Sequence, residues 1–127
     1  MTFKIANSPC SWGVSYADAK DNPPSKKVFS EIAEAGYEFS ELGPYGYLPT
    51  DPKEILDLME VLKLKIIGSF VFDNLHIESE HKRIKNIINN SCSLLQKINS
   101  EVFVIIDHIT KERMETSGNQ AISPNLD

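Results

Sequence analysis

Apolar positions along the chain follow two alternating spacings. Phe3 to Ala6 is a short run of strand type that leads into the loop NSPCSWGVSYADAKDNPP. From about Pro24 the spacing becomes helical: Val28, Phe29, Ile32, Ala33 and Gly36 recur on one face, the prolines suit a first turn, and Gly36 suits a stop. Glu38 to Leu42 reads as a second strand. In TDPKEILDLMEVLKL, Asp51 is placed to cap a second helix and Pro52 to open it, with Ile55, Leu58, Met59 and Leu62 as its apolar stripe. KIIGSFVF is a near-continuous apolar run of strand length, as expected where both faces are covered. The longest helix is expected in HIESEHKRIKNIINNSCSLLQKINS, where Ile84, Ile87, Ile88, Leu95 and Ile98 fall at helical intervals, and EVFVII is the fourth strand.

The order β-α-β-α-β-α-β calls for a parallel sheet with right-handed crossovers, an α/β fold spanning residues 1–107. Two architectures satisfy it: the amino-terminal half of a TIM (β/α)8 barrel, whose full form takes roughly 250 residues, or a small doubly wound four-stranded sheet. Residues 108–127 are polar and aperiodic and are expected to form an irregular tail or a truncated loop.

At 127 residues and 41% hydrophobic composition the chain has material for one modest core. Its net charge of -5 arises from interspersed acids and bases, without the basic block or basic-aromatic stripe of a nucleic-acid face. No apolar run approaches the ~20 residues that span a bilayer, and the first residues lack the basic end and apolar stretch of a signal peptide. No nucleic acid, no membrane and a cytoplasmic location are therefore expected. Cys10 and Cys92 have no zinc-ligand or CxxC spacing and are expected to be reduced.

In parallel α/β folds, ligands gather at the carboxyl ends of the strands. Here those ends carry Cys10 to Gly13, Glu41 to Tyr47, Phe72 to Asn74, and Asp107 with His108. Glycine and proline in GPYGY fix the loop after Glu41, so an aromatic on it is held at little entropic cost. On spacing alone, Glu41 reads equally as a pocket carboxylate or as a strand-end cap, and Trp12 as a wall or as a plug under its loop. Asp107 and His108 are neighbours on a strand, which sends their side chains to opposite faces. His76 and His81 read as solvated or local capping residues.

Over about residues 4–107, NSPCSWGV, EIAEAGYEFSELGPYGYLPTDP and IIGSFVF together resemble the amino-terminal half of the sugar phosphate isomerase/epimerase superfamily, the xylose-isomerase-like barrels, and most nearly the inosose dehydratase branch. The resemblance implies the half-barrel and a sugar or cyclitol substrate. It also implies a divalent metal, Mn, Mg or Co, for the whole enzyme, held by carboxylates and a histidine on later strands, so that no metal site is expected within this chain. It carries over Trp12, Glu41 and Tyr45 as substrate-wall positions, followed by Asp107 and His108: Glu41 accepting from a hydroxyl, Trp12 and Tyr45 stacking on the C–H face. Metal-assisted enediolate chemistry in such enzymes ends in epimerisation, isomerisation or dehydration. A different class stays open beside this enzyme fragment, a non-catalytic polyol-binding half-barrel that forms a homo-oligomer through its open strand edges.

Overall fold

The computed structural model describes residues 3–119 together with 121 and 122. Four strands, β1 (Ala6–Asn7), β2 (Phe39–Glu41), β3 (Lys65–Asp73) and β4 (Val102–Asp107), form one all-parallel sheet in the order β1-β2-β3-β4. Helices α1 (Ser25–Glu34), α2 (Pro52–Leu62) and α3 (His81–Lys97) make the crossovers, and a short helix α4 (Lys111–Glu115) follows β4. The four-stranded parallel sheet common to both expected architectures is thus present, and its strand order runs without a reversal.

Local chemistry accounts for the helix ends. The Asp51 carboxylate accepts from the Lys53 N–H at 2.8 Å, Pro52 opens α2, and Lys63 ends it in a left-handed conformation at φ 55°. Val28, Phe29 and Ile32 of α1, Ile55 and Met59 of α2, Leu94 and Leu95 of α3 and Ile66 of β3 join one buried cluster. Three crossover helices sharing one cluster lie on one side of the sheet.

β3 is the centre of the sheet, with Ile66, Gly68, Ser69, Phe70 and Val71 all buried. Between β2 and β3 the register slips: Ser40 lies opposite Ile66, but Glu41 lies opposite Gly68, which leaves Ile67 as a bulge residue beside the end of β2. Bulges re-aim the side chains beyond them and recur near functional sites.

β4 has the apolar composition of β3 without its cover. Val102, Val104 and Ile106 on one face are 53%, 39% and 40% exposed, and Ile105 on the other is 56% exposed. Phe103 alone of the strand's apolar residues is half-buried against the core cluster, so among the described residues this edge strand is covered at that one position and open elsewhere on both faces. On the opposite edge, Phe3 and Ile5 ahead of β1 are exposed as well.

β1 is shorter than the expected Phe3 to Ala6 run and begins only at Ala6. The expectation of an irregular stretch after residue 107 is corrected by α4: the Thr110 hydroxyl caps it by accepting from the Arg113 N–H at 3.3 Å, and Lys111 pairs with Glu115 along its length. The last five residues of that stretch, 123–127, and residue 120 lie outside the described residues. No helix among the described residues is long and apolar enough to cross a membrane.

Candidate functional site

The loop after β1 folds into a 3-10 turn, Pro9–Trp12, in which the Ser8 side chain accepts from the Cys10 N–H and Gly13 closes the turn at φ 82°. Asn7 Oδ1 accepts from the Ser8 N–H at 2.8 Å and from the Ser11 hydroxyl at 2.7 Å, which fixes the entry to the turn. Further on, Asn22 Nδ2 donates to the carbonyls of Tyr16 and Ala17, so the long excursion is tied into one shape.

The loop after β2 packs directly on this one. Gly43 sits at φ 82°, where a Cβ would stand 3.1 Å from Pro9 Cγ, so glycine lets the two loops approach. The buried Ser69 hydroxyl donates to the Gly43 carbonyl at 2.7 Å, and Tyr47 Oη donates to the Pro23 carbonyl at 2.7 Å. Burial pushes the Tyr47 phenol above its ordinary range, which keeps it a donor. The PCSW turn and the GPYGY loop are therefore one packed unit.

Two carboxylates fasten the ends of β3 and β4. Asp73 receives the Arg83 guanidinium in a two-point pair at 2.8 and 2.7 Å, while Arg83 Nε donates to Glu80 at 2.8 Å. These bonds hold the Asp73 carboxyl below the usual carboxylate range. Asp107 Oδ1 accepts from the Leu75 N–H at 2.8 Å and meets His76 Nδ1 at 2.9 Å, and the His76 bond holds its carboxyl low as well. His81 Nε2 lies 2.8 Å from the Leu75 carbonyl, so both histidines brace the loop between β3 and α3.

At the carboxyl ends of the strands lies a cavity of about 340 Å³, walled by Tyr16, Tyr45 and Phe72, with Asp18, Asp73 and Arg83 supplying polar groups. The Tyr16 and Phe72 rings are 5.8 Å apart, and Phe72 stacks in turn on His108 at 4.9 Å. Desolvation and the Asp73 charge push the Tyr16 phenol up, so it remains protonated at neutral pH. The hollow is near the small end of the ~300–1,000 Å³ range of ligand sites and combines apolar walls with a few polar groups, the usual makeup of such sites. A larger hollow of about 620 Å³ opens at the amino ends, between Tyr37, Leu62 and Leu64, with Glu38, Lys63 and Lys65 in its lining, away from the strand ends where ligands gather in parallel α/β folds.

The five candidate residues separate into distinct settings. Tyr45 lines the cavity, and His108 stands behind its Phe72 wall. Glu41 is half-buried at the bulge; its carbonyl accepts from the Ser40 hydroxyl at 2.9 Å, its carboxylate has no hydrogen bond or ion pair among the described residues, and it sits outside the cavity lining. Partial burial pushes the Cys10 thiol up, and the neighbouring Glu41 charge adds to it. Trp12 has a bracing role: its indole N–H donates to Glu31 of α1 at 2.5 Å and its ring packs on the core cluster. Asp107 likewise spends its carboxylate on the β3-α3 loop. Tyr16 and Arg83 line the cavity without being strand-end residues; Tyr16 sits in the same loop as Trp12, and Arg83 lies one helical turn past Glu80.

Among the described residues no group of three His, Cys, Asp or Glu side chains is placed to hold a metal ion. The donor chemistry agrees, because Asp73 and Asp107 are both committed to cationic or N–H partners. The arrangement can bind and orient a small ligand with apolar faces and hydroxyl edges. The chain matches no protein-family model and no curated protein.

Proposed function

We propose that the chain is the amino-terminal half of a (β/α)8-type barrel of the sugar phosphate isomerase/epimerase kind, and that its carboxyl-end cavity binds a sugar or cyclitol. The observation that carries the binding reading is the aromatic cavity of Tyr16, Tyr45 and Phe72 beside the Asp73–Arg83 pair. Aromatic faces take the C–H face of a polyol ring, and the polar groups take its hydroxyls.

The half-barrel reading is supported by a strand order without reversal and by three helices on one side. Right-handed crossovers that never reverse direction keep every helix on the same face, whereas a doubly wound sheet reverses at a switch point and covers both faces. The packed contact between the PCSW turn and the GPYGY loop supports the resemblance, since those two motifs carry it.

A divalent metal would polarise a carbonyl and its neighbouring hydroxyl in a complete enzyme. The described residues do not fit one, so their part is restricted to binding and orienting. Glu41 lies outside the cavity lining, and its half-buried carboxylate, without a partner among the described residues, is available to accept a hydroxyl hydrogen bond from a ligand that reaches past the cavity toward the Cys10 turn. The reading places the protein in the cytoplasm, where free Cys10 and Cys92 would stay reduced.

Titration of the isotopically labelled chain with myo-inositol and with xylose, followed by NMR, tests this. Binding in the millimolar range should shift the Tyr16, Tyr45 and Phe72 resonances, and Tyr45→Ala should weaken it roughly tenfold, the loss of about 1.4 kcal/mol of stacking. Saturating polyol without movement of those resonances would sink the proposal.

A further inference from the structure

Among the described residues neither edge of the sheet has a further strand beside it, and the two edges are unlike. One is β4, a six-residue strand whose apolar side chains other than Phe103 are exposed; the other is β1, preceded by Phe3 and Ile5 at 83% and 71% exposure. From this geometry we infer that two copies of the chain close on each other, β4 of each adding in parallel to β1 of the other about a two-fold axis. The inference rests on the half-barrel reading above.

Four observations favour a second copy. First, the edges differ and run in the same direction. A β4-to-β4 contact about a two-fold axis would be antiparallel and would leave both β1 edges bare, while β4-to-β1 pairing made twice covers every open edge and keeps the sheet parallel. Second, a hollow adjoins each edge: about 320 Å³ beside β4, lined by Leu95 and Phe103, and about 530 Å³ beside β1, lined by Phe3, Ile5 and Tyr37.

Third, Ser100 lines the hollow beside β4, is only 7% exposed, and has a hydroxyl without a hydrogen-bond partner. Buried hydroxyls are almost always bonded, so an arriving polar group completes this one. Fourth, Lys4 stands just ahead of β1 and Glu101 just ahead of β4, both exposed. Parallel addition brings them to the same end of the joined sheet, as opposite charges. An antiparallel contact would not.

Phe3 and Ile5 at one edge and Val102, Val104, Ile105, Ile106 and Ile109 at the other are the exposed apolar residues such a contact would shield.

The test uses the full 127-residue chain, with Cys10→Ser and Cys92→Ser for the crosslinking arm. Sedimentation equilibrium across a dilution series should give twice the 14.3 kDa chain mass. Val104→Lys with Ile106→Lys, at positions already exposed in the single copy, should raise the dimer dissociation constant by about 100-fold or more while leaving the far-ultraviolet helix signal unchanged, because unpaired charge would enter an apolar contact. An intermolecular disulfide should form when Ile5→Cys is combined with Val102→Cys, the positions that parallel pairing sets side by side when Lys4 meets Glu101. A monomer at every concentration overturns the inference. So does a dimer indifferent to the lysines, or a disulfide formed by Ile105→Cys alone, which reports β4-to-β4 contact. Cyclitol titration of the same samples separates the two proposals: a monomer that binds overturns only this one, and a dimer that does not bind overturns only the binding reading.

Discussion

Gly68 shows how tightly the centre of the sheet is drawn. A Cβ there would lie 2.8 Å from the Val102 carbonyl oxygen and 3.1 Å from Val102 Cβ, against backbone that cannot swing aside. Gly68→Ala should therefore destabilise the chain by about 1–3 kcal/mol through forced separation of β3 from β4, despite the usual ~0.5–1 kcal/mol advantage of alanine in a strand. Urea unfolding checks this; an unchanged or higher midpoint would refute the close approach. The placement of the candidate residues was legible in the sequence to the extent that local chain geometry governs it. Tyr45 lines the cavity because its own glycines and proline shape its loop. The roles of Trp12 and Asp107 depend on partners 19 and 31 residues away, Glu31 and His76, and no local pattern announces such pairings.

Among the elements, α2 is the one whose limits the sequence states outright, through Asp51 and Pro52 at its start. Its end is less favourable, because Lys63 holds a left-handed conformation that costs an ordinary residue about 1–2 kcal/mol. Lys63→Gly should recover about 1 kcal/mol, and Asp51→Ala should lose about 1 kcal/mol with the cap. Thermal melting of the two variants should move in opposite directions; a Lys63→Gly chain that melts lower would show that the lysine stem contributes packing that outweighs the backbone relief. The strands and three long helices were legible because hydrophobic spacing changes period between them. The Ile67 bulge and α4 were not: a bulge is a relation between two strands, and α4 rests on one threonine cap and one lysine-glutamate pair within a polar stretch.

For the molecule as a whole, the parallel sheet followed from element order and the handedness of crossovers, while the bareness of β4 did not, because EVFVII reads like the covered KIIGSFVF. Where cover is thin, the carboxyl ends of β3 and β4 are held by two acidic clasps, Asp73 on Arg83 and Asp107 on His76. Both carboxyls titrate lower in the folded chain than the ~3.9 of an unfolded aspartate, so unfolding takes up protons as pH falls below that value. The clasps therefore contribute fully from neutral pH down to about 4 and lose their contribution as pH drops through the folded values. Melting temperature should be steady across the first interval and fall in the second. Asp73→Asn should lower the neutral melting temperature and flatten that acid slope, since the asparagine cannot titrate. Because Asp73 and Arg83 also wall the cavity, polyol affinity should decline over the same acid range. An acid slope identical in the Asp73→Asn chain would mean that other carboxylates set the acid limit and that the rim is held by its loops alone.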